Sequence, residues 1–253
     1  KSPMKKNKNL AIFLFFAAIV QIYVIYHFYE KSVENERKEV FMLRSQAFEK
    51  LTTGAFDSAV KIYNAILEID SKDSSAHLFR GLAYQGMKKF PEAETDFKKV
   101  LEDYPDKVDA IILLGNLYSE MGDDKKTAEN YDKAGKIDPS NPLVPIYKAA
   151  FYLKSKDPDR AIVELEKVQK LRPDFESLQT FFGEAYFQKG EFETAMIYLK
   201  TAVEKNNGDQ KAWLVSGSIL ASNGDKAGAC NAFEEAVRSN SISAADSLKK
   251  YCR

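Results

Sequence analysis

The pattern of hydrophobic and polar positions divides the chain into two parts. From Leu10 to Tyr29 twenty residues follow one another without a formal charge, LAIFLFFAAIVQIYVIYHFY. Twenty helical residues span about 30 Å, which is the thickness of the hydrocarbon core of a bilayer. From about residue 40 onward, apolar residues instead recur at helical spacing between short turns. The pattern therefore predicts a transmembrane helix at 10–29, followed by an all-α array of amphipathic helices.

A cleaved signal peptide is the alternative interpretation of the apolar segment. Such a peptide has an apolar core of about 7–15 residues, followed by a cleavage site made of small residues. Here Ala17 and Ala18 lie in the middle of the run, and no cysteine follows that could carry a lipid. The sequence therefore favours an uncleaved anchor.

The charges on either side of this segment predict its orientation. Lys5, Lys6 and Lys8 precede it with no acidic residue among them, whereas the basic residues that follow it are mixed with glutamates. The positive-inside rule counts Lys and Arg and hardly counts acidic residues, so this small difference favours a cytoplasmic N-terminus. We therefore expect a single-pass protein of a bacterial inner membrane, with its helical array in the periplasm.

A small residue recurs every 34 residues along the second part of the chain. In the same frame, an alanine follows twelve residues later in five of the six units, and each unit reads as two amphipathic helices around a short turn. We predict that the small residue faces this alanine and lets the two helices approach closely, while aromatic side chains such as Tyr63 and Phe97 fill the space beyond. The recurring small residues are Ala47, Gly81, Gly115, Ala149, Gly183 and Gly217.

The six units resemble the tetratricopeptide repeat family over roughly residues 40–242. Segments such as HLFRGLAYQGMKKFPEAETDFKKVLEDYP and QTFFGEAYFQKGEFETAMIYLKTAVEKN follow the family pattern, and no gap separates the units. The resemblance implies a right-handed α-solenoid of six 34-residue helix-turn-helix repeats, because a single helical hairpin cannot bury both of its faces.

Three positions depart from the pattern. Only Trp213 provides the aromatic residue near the start of a first helix, Thr127 replaces a packing alanine, and Pro145 lies in a first helical turn, where proline is tolerated.

These patterns divide the chain into a tail, a span, a linker, six repeats and a short final helix that caps the last repeat. The predicted ranges are 1–9 for the basic tail, 10–29 for the transmembrane helix, 30–39 for a charged helical linker, 40–73, 74–107, 108–141, 142–175, 176–209 and 210–243 for the repeats, and 243–253 for the capping helix.

Charge and residue types exclude several classes of function. The four lysines before the apolar run leave 33 basic against 37 acidic residues in the rest of the chain, a balance that disfavours nucleic acid as a partner. Two histidines and two widely separated cysteines cannot assemble a known zinc motif. The chain also lacks a phosphate-binding glycine loop and a G-x-S-x-G elbow, and His77 falls where a first helix normally places a packing residue. We therefore expect neither an enzyme nor a metal or other cofactor.

The resemblance to tetratricopeptide repeats implies a protein-binding groove on the concave side. Of the residues at its positions, only Asn116 matches the carboxylate clamp of the chaperone-binding members, so that function is not transferred. The other positions are largely apolar, which favours a partner helix or extended segment that docks through apolar side chains. Alternatively, neighbouring helices cover several of them. The implied groove residues are Leu78, Leu82, Ile112, Asn116, Ile146, Ala150, Leu153, Glu184, Phe187 and Leu214.

The two cysteines allow two interpretations. They can be independent reduced thiols, which are common in helical cores. However, Cys230 lies near the start of the last repeat's second helix and Cys252 near the end of the capping helix, so antiparallel packing would bring them together. If the domain is extracytoplasmic, a disulfide between them would pin the capping helix.

The sequence as a whole favours a membrane-anchored scaffold that binds another protein during assembly or quality control of an envelope complex. Its partners would be a protein or peptide segment and the lipid bilayer, and a homo-oligomer is compatible with the architecture. Two alternatives stay open. One is a cytosol-facing membrane receptor or regulator, and the other is an accessory subunit of a pilus, secretion or cytochrome-maturation machine.

Overall fold

The computed structural model describes residues 3–239 and 241–252, with side chains from Tyr26 onward except those of Tyr29 and Ile242. Within these residues every regular element is an α-helix, which confirms the predicted all-α class. The chain divides into two compact units, unit 1 (Lys1–Pro105) and unit 2 (Asp106–Arg253).

From residue 3 onward, unit 1 contains a long N-terminal helix followed by three short ones. The long helix α1 packs on α2 and α3, and α3 packs on α4. Because α1 is continuous over 50 residues, it includes both the predicted linker 30–39 and the first helix of the first repeat. Buried Ala47, Ala59, Tyr63 and Ile66 form the core of this unit. The helices are α1 (Pro3–Thr52), α2 (Phe56–Ile69), α3 (Ser74–Gly86) and α4 (Phe90–Asp103).

The predicted transmembrane segment 10–29 lies outside the described side chains, except at Tyr26, His27 and Phe28. Tyr26 and Phe28 are exposed. Among the side chains that the structure describes, no helix combines the length and the apolar character needed to cross a membrane.

The described part of unit 2 contains four helix pairs and a final short helix. Within each pair the first helix packs on the second, and each second helix of the first three pairs also packs on the first helix of the next pair. The first helices contact one another in order, α5 on α7, α7 on α9 and α9 on α11. The helices are α5 (Val108–Met121), α6 (Asp124–Ile137), α7 (Leu143–Lys154), α8 (Pro158–Leu171), α9 (Leu178–Lys189), α10 (Phe192–Lys205), α11 (Gln210–Ser222), α12 (Lys226–Arg238) and α13 (Ile242–Tyr251).

The recurring small residues lie where a large side chain of the second helix packs on the first helix of the pair. A Cβ atom on Gly81 would meet the Phe97 ring at 2.5 Å, and one on Gly115 would meet the Tyr131 ring at the same distance. The small residue therefore lies directly under the aromatic ring of the second helix. This differs from the predicted arrangement, in which an alanine faced the small residue and the ring lay beyond it.

Each departure from the repeat pattern is accommodated locally. Thr127 is fully buried, and its hydroxyl donates a hydrogen bond of 2.9 Å to the carbonyl oxygen of Asp123. Pro145 is buried in the first turn of α7, where no intrahelical donor is required. The indole nitrogen of Trp213 donates to the carbonyl oxygen of Asn207 at 2.9 Å. These contacts satisfy the polar groups without disturbing the helix pairs.

Candidate protein-binding surfaces

In each unit the first helices of the repeats share one face, which we call the first-helix face. Unit 1 contributes α1 and α3 to its own face, and unit 2 contributes α5, α7, α9 and α11. The implied groove residues all belong to these helices, two of them to unit 1 and eight to unit 2.

Three of the groove residues belong to the core of unit 2 instead of its surface. Ile112 and Leu153 are 3% exposed and Ile146 is 6% exposed. Ile146 and Leu153 belong to one apolar cluster with residues of α8 and α9, among them Leu165 and Phe182. The alternative interpretation, that neighbouring helices cover the position, therefore applies to these three side chains.

The polar members of the set make contacts within unit 2. The Asn116 side-chain oxygen accepts a hydrogen bond of 2.5 Å from the hydroxyl of Tyr131 on α6. Glu184 forms an ion pair of 2.5 Å with Lys211, which joins α9 to α11. Among the apolar members, half-buried Phe187 packs against Phe192 with ring centroids 5.8 Å apart. These side chains therefore help to hold the helices together.

A pocket of about 350 Å³ opens on the first-helix face of unit 2. Ala150, Leu153 and Glu184 line it as predicted members of the groove, together with Lys154, Lys156, Phe181, Gln188 and Lys211. The Lys154 ammonium donates to the carbonyl oxygen of Ser119, and Lys211 lies over the Phe181 ring at 5.6 Å. Three lysines make this pocket charged, whereas the sequence predicted an apolar strip.

The most exposed apolar side chains of the first-helix faces lie in unit 1. Phe41 is 72% exposed and Phe48 is 53% exposed, and both border a pocket of about 440 Å³ between α1 and α3. The edge of Phe48 meets Phe79 at a centroid distance of 6.1 Å, and Phe79 stacks on Tyr63 at the same distance. Arg44 closes one side through an ion pair with Asp73, the N-cap of α3.

The sequence did not predict Phe41 and Phe48 as binding residues, because the implied groove positions began at the second repeat. Phe41 and Phe48 are seven residues apart, so they share one side of α1, whereas Ala47 marks the side that packs inward. Their position on the outward side of an amphipathic helix was the feature of the sequence that could have identified them.

Tyr63 lies at the base of the same pocket and is 2% exposed. Burial raises the pKa of its hydroxyl to about 12. That hydroxyl has no hydrogen-bond partner within the described part of the chain.

His77 belongs to a network of charged groups in unit 1. Its Nδ1 atom lies 2.8 Å from Oδ1 of buried Asp96, which is also bound by Arg80. The sequence predicted a packing residue at this position, and in the structure both ring nitrogens of His77 make polar contacts. Across the described residues, no group of three or more acidic, histidine or cysteine side chains is arranged to hold a metal ion.

The structure joins Cys230 and Cys252 by a disulfide, with their Cα atoms 5.7 Å apart. The bond links α12 to the residue that follows α13. Tyr251 also stacks on Phe233 of α12, with ring centroids 6.0 Å apart. The capping helix is therefore attached to the last repeat by a covalent bond and an aromatic contact.

Models of the tetratricopeptide repeat match this chain at residues 80–107, 108–141, 152–219 and 210–242. Among curated proteins, "Anaphase-promoting complex subunit 3" of Schizosaccharomyces pombe is 23% identical over 62% of this chain and 24% of its own length. "Hsp70-Hsp90 organizing protein 1" of Arabidopsis thaliana is 26% identical over 62% of this chain and 28% of its own length. The chain thus spans about a quarter of the length of these relatives.

Among solved structures, a tetratricopeptide repeat protein from Parabacteroides merdae superposes with a TM-score of 0.72 and 16% identity. The superposition covers 85% of this chain and 84% of that one. At this identity the likeness shows the fold.

Proposed function

We propose that this chain, which belongs to the tetratricopeptide repeat family, is a membrane-anchored scaffold that binds a segment of another protein on its first-helix face. Proteins of this family act as scaffolds for protein–protein interaction. The chemistry of its exposed side chains supports an apolar contact in unit 1 as the main binding site.

One observation carries the proposal, namely the exposure of Phe41 and Phe48 beside the pocket between α1 and α3. Exposed apolar residues are ordinary when scattered, but two aromatic rings beside a cleft form a patch typical of an interaction site. Burying each ring under a partner would contribute about 1.5–3 kcal/mol. Contacts to the half-buried Leu78 and Leu82 of α3 would add to this, and the net affinity is what remains after the free-energy cost of association.

The continuity of α1 supports the membrane-anchored part of the proposal. The same helix contains the apolar segment 10–29 and the exposed Phe41. Twelve residues separate Tyr29 from Phe41, which is roughly 18 Å along a helix. A partner bound at Phe41 would then be held close to the bilayer surface.

The flanking charges and the disulfide support an extracytoplasmic location. Disulfides persist in oxidising compartments such as the bacterial periplasm, and Cys230 and Cys252 are joined in this structure. We therefore propose a role in assembly or quality control of an envelope complex on the outer side of a bacterial inner membrane.

The test compares partner capture by the full-length protein and by Phe41→Glu and Phe48→Glu variants, from detergent-solubilised membranes. Phe41→Glu should weaken capture at least tenfold without changing the melting temperature, since the ring makes little contact within the fold. Ile197→Glu is the matched control, because Ile197 is equally exposed but lies on α10, outside the first-helix faces. Full capture by folded variants of both phenylalanines would refute binding at this pocket.

A further inference from the structure

A second kind of cleft opens in unit 2 on the side of the second helices. Its walls are α6 and α8, and its floor is the start of α7, where Val144 and Pro145 lie. Its volume is about 650 Å³, larger than either pocket on the first-helix faces. Pockets that bind small-molecule ligands commonly have volumes of about 300–1,000 Å³.

A missing side chain on α6 explains why the cleft is open. At the position of Gly135, the other five repeats carry larger residues, which are Leu67, Leu101, Gln169, Val203 and Val237. A Cβ atom on Gly135 would meet only Val144, at 3.4 Å. The space above Gly135 is therefore the place that an apolar side chain fills in most of the other repeats.

The residue next to Gly135 gives the cleft a positive rim. Lys136 on α6 and Lys170 on α8 occupy equivalent positions in the third and fourth repeats, and both line the cleft. The same position holds glutamate in three other repeats, at Glu68, Glu102 and Glu204. A preference for cations in a last helical turn does not explain the lysines, because it would apply to those three helices too.

The acidic residues of the cleft are already engaged. Lys148 pairs with Asp132 at 2.7 Å and with Glu164 at 3.5 Å, and Lys167 pairs with Glu164 at 2.8 Å. The Asp138 carboxylate accepts hydrogen bonds from Ser140. No ion pair involves Lys136 or Lys170 within the described residues. Four lysines and three acidic residues line the cleft, which therefore carries one net positive charge above an apolar floor.

We propose that this cleft binds an acidic segment of a partner protein. An apolar side chain of that segment would fill the space over Gly135 and Val144, and flanking carboxylates would pair with Lys136 and Lys170. A groove between two helices, both packed on α7, suits a helix or extended segment laid along it. The cleft lies on the side of the second helices of unit 2, not on the first-helix face of that unit, so it adds a second, charge-selective contact.

The test measures direct binding of the full-length protein in detergent to fluorescein-labelled peptides of about fifteen residues. Each peptide has one Leu, Ile, Phe or Trp at its centre, with glutamates at helical spacing on both sides. The same peptides with lysine in place of glutamate are the control. At least one acidic peptide should bind saturably, and its affinity should fall as the salt concentration is raised, whereas the lysine peptides should not bind.

Two pairs of variants assign the binding to the cleft. Gly135→Leu fills the space and should weaken binding of the acidic peptide at least tenfold. Gly135→Ala raises helix propensity but leaves the space open, so this variant should bind the peptide as tightly as the wild type does. Lys136→Glu combined with Lys170→Glu should also abolish binding. Lys125→Glu combined with Lys226→Glu makes the same charge change elsewhere in unit 2 and should have little effect.

The same measurement separates this site from other possibilities. Phe41→Glu should leave peptide binding unchanged, so failure of the unit 1 proposal would not affect the result. If no acidic peptide binds, or if Gly135→Leu binds as tightly as the wild type, the proposal is wrong. Binding of dodecanoate that Gly135→Leu abolishes, without binding of any peptide, would overturn it in favour of a lipid ligand.

Discussion

Arg80 binds both carboxylate oxygens of Asp96, with Nε 2.8 Å from Oδ2 and Nη2 2.6 Å from Oδ1. His77 shares Oδ1 through its Nδ1 atom and places its Nε2 atom 3.2 Å from the carbonyl oxygen of Ser71. Asp96 is almost completely buried on α4, whereas Arg80 and His77 lie on α3. One carboxylate therefore joins the two helices of the second repeat through charged hydrogen bonds.

Removal of this carboxylate should destabilise unit 1 strongly. In Asp96→Ala, Arg80 would stay partly buried without a counter-charge and His77 would lose a hydrogen-bond partner, and we expect the free energy of unfolding to fall by about 3 kcal/mol. Glu102→Ala is the control, since its pair with Lys99 is exposed and should contribute less than about 1 kcal/mol. Urea unfolding followed by circular dichroism measures both. Equal losses for the two variants would contradict a structural role for the buried network.

Two of the repeat turns hold lysine in a backbone conformation that favours glycine. Lys88 and Lys156 have φ angles of 59° and 58°, whereas Gly122 holds the corresponding place at 77°. A residue with a side chain in this left-handed region costs about 1–2 kcal/mol relative to glycine. Glycine loses more conformational entropy on folding, and this loss offsets part of the gain from replacing lysine by glycine. Lys156→Gly should therefore stabilise the protein by about 0.5–1 kcal/mol, and the reciprocal Gly122→Lys should destabilise it similarly. A fall in melting temperature for Lys156→Gly would show that the lysine is stabilised by a contact.

The sequence predicted the helix pairs because their packing repeats every 34 residues. Gly81 and Gly115 must stay small under Phe97 and Tyr131, so the same packing contact requires a small residue once in every repeat. The outward residues of the first helices follow no such rule. Ile112 and Leu153 occupy implied groove positions but are covered by neighbouring helices, and this depends on packing that the spacing alone does not determine.

The two binding surfaces proposed here depend on departures from the repeat. Phe41 lies in a first repeat whose helix is continuous with the N-terminal segment, and it is exposed because no earlier first helix among the described side chains covers it. Gly135 creates a cleft by the absence of a side chain, which a search for shared residues does not detect. Comparing each repeat with the others, position by position, would have identified both.

The disulfide gives a prediction about the capping helix. Cys230 and Cys252 are 22 residues apart, and a bridge over a loop of this size stabilises a fold by about 3 kcal/mol in the chain-entropy model. Replacing both cysteines by serine should lower stability by about that amount and increase hydrogen exchange in α13 most. Protein purified without reductant and then denatured should show no free thiols. Two titratable thiols would mean that the bond does not form in the cell.

The predicted anchor and its orientation can be tested on bacterial membranes. Because the uncharged apolar segment 10–29 predicts a transmembrane helix, the full-length protein should resist extraction by alkaline carbonate, and a variant without residues 1–29 should be released. Protease added to intact spheroplasts should degrade the repeats, while a cytoplasmic marker survives. Protected repeats would reverse the orientation, and release of the full-length protein by carbonate would exclude the anchor.

Tyr63 and Tyr131 provide a matched pair of buried phenols with and without a hydrogen bond. Tyr131 donates to Asn116, whereas the Tyr63 hydroxyl has no partner within the described residues. Tyr131→Phe should therefore cost about 1–2 kcal/mol, and Tyr63→Phe should be neutral or slightly stabilising. Burial raises the pKa of Tyr63 to about 12 and also raises that of Tyr131, so the folded state favours the neutral phenol of both.

The raised pKa values also predict how stability changes at alkaline pH. The unfolded phenol ionises near pH 10, so the stability that comes from keeping Tyr63 neutral is complete below that pH and is lost as the pH rises towards about 12. Urea unfolding at a series of pH values should show this loss in the wild type and a smaller loss in Tyr63→Phe. Comparable destabilisation of Tyr63→Phe and Tyr131→Phe at neutral pH would instead show that the Tyr63 hydroxyl is bound to a partner, such as a buried water. In that case the base of the unit 1 pocket would be polar, and Phe41 and Phe48 would provide its apolar contact only at the rim.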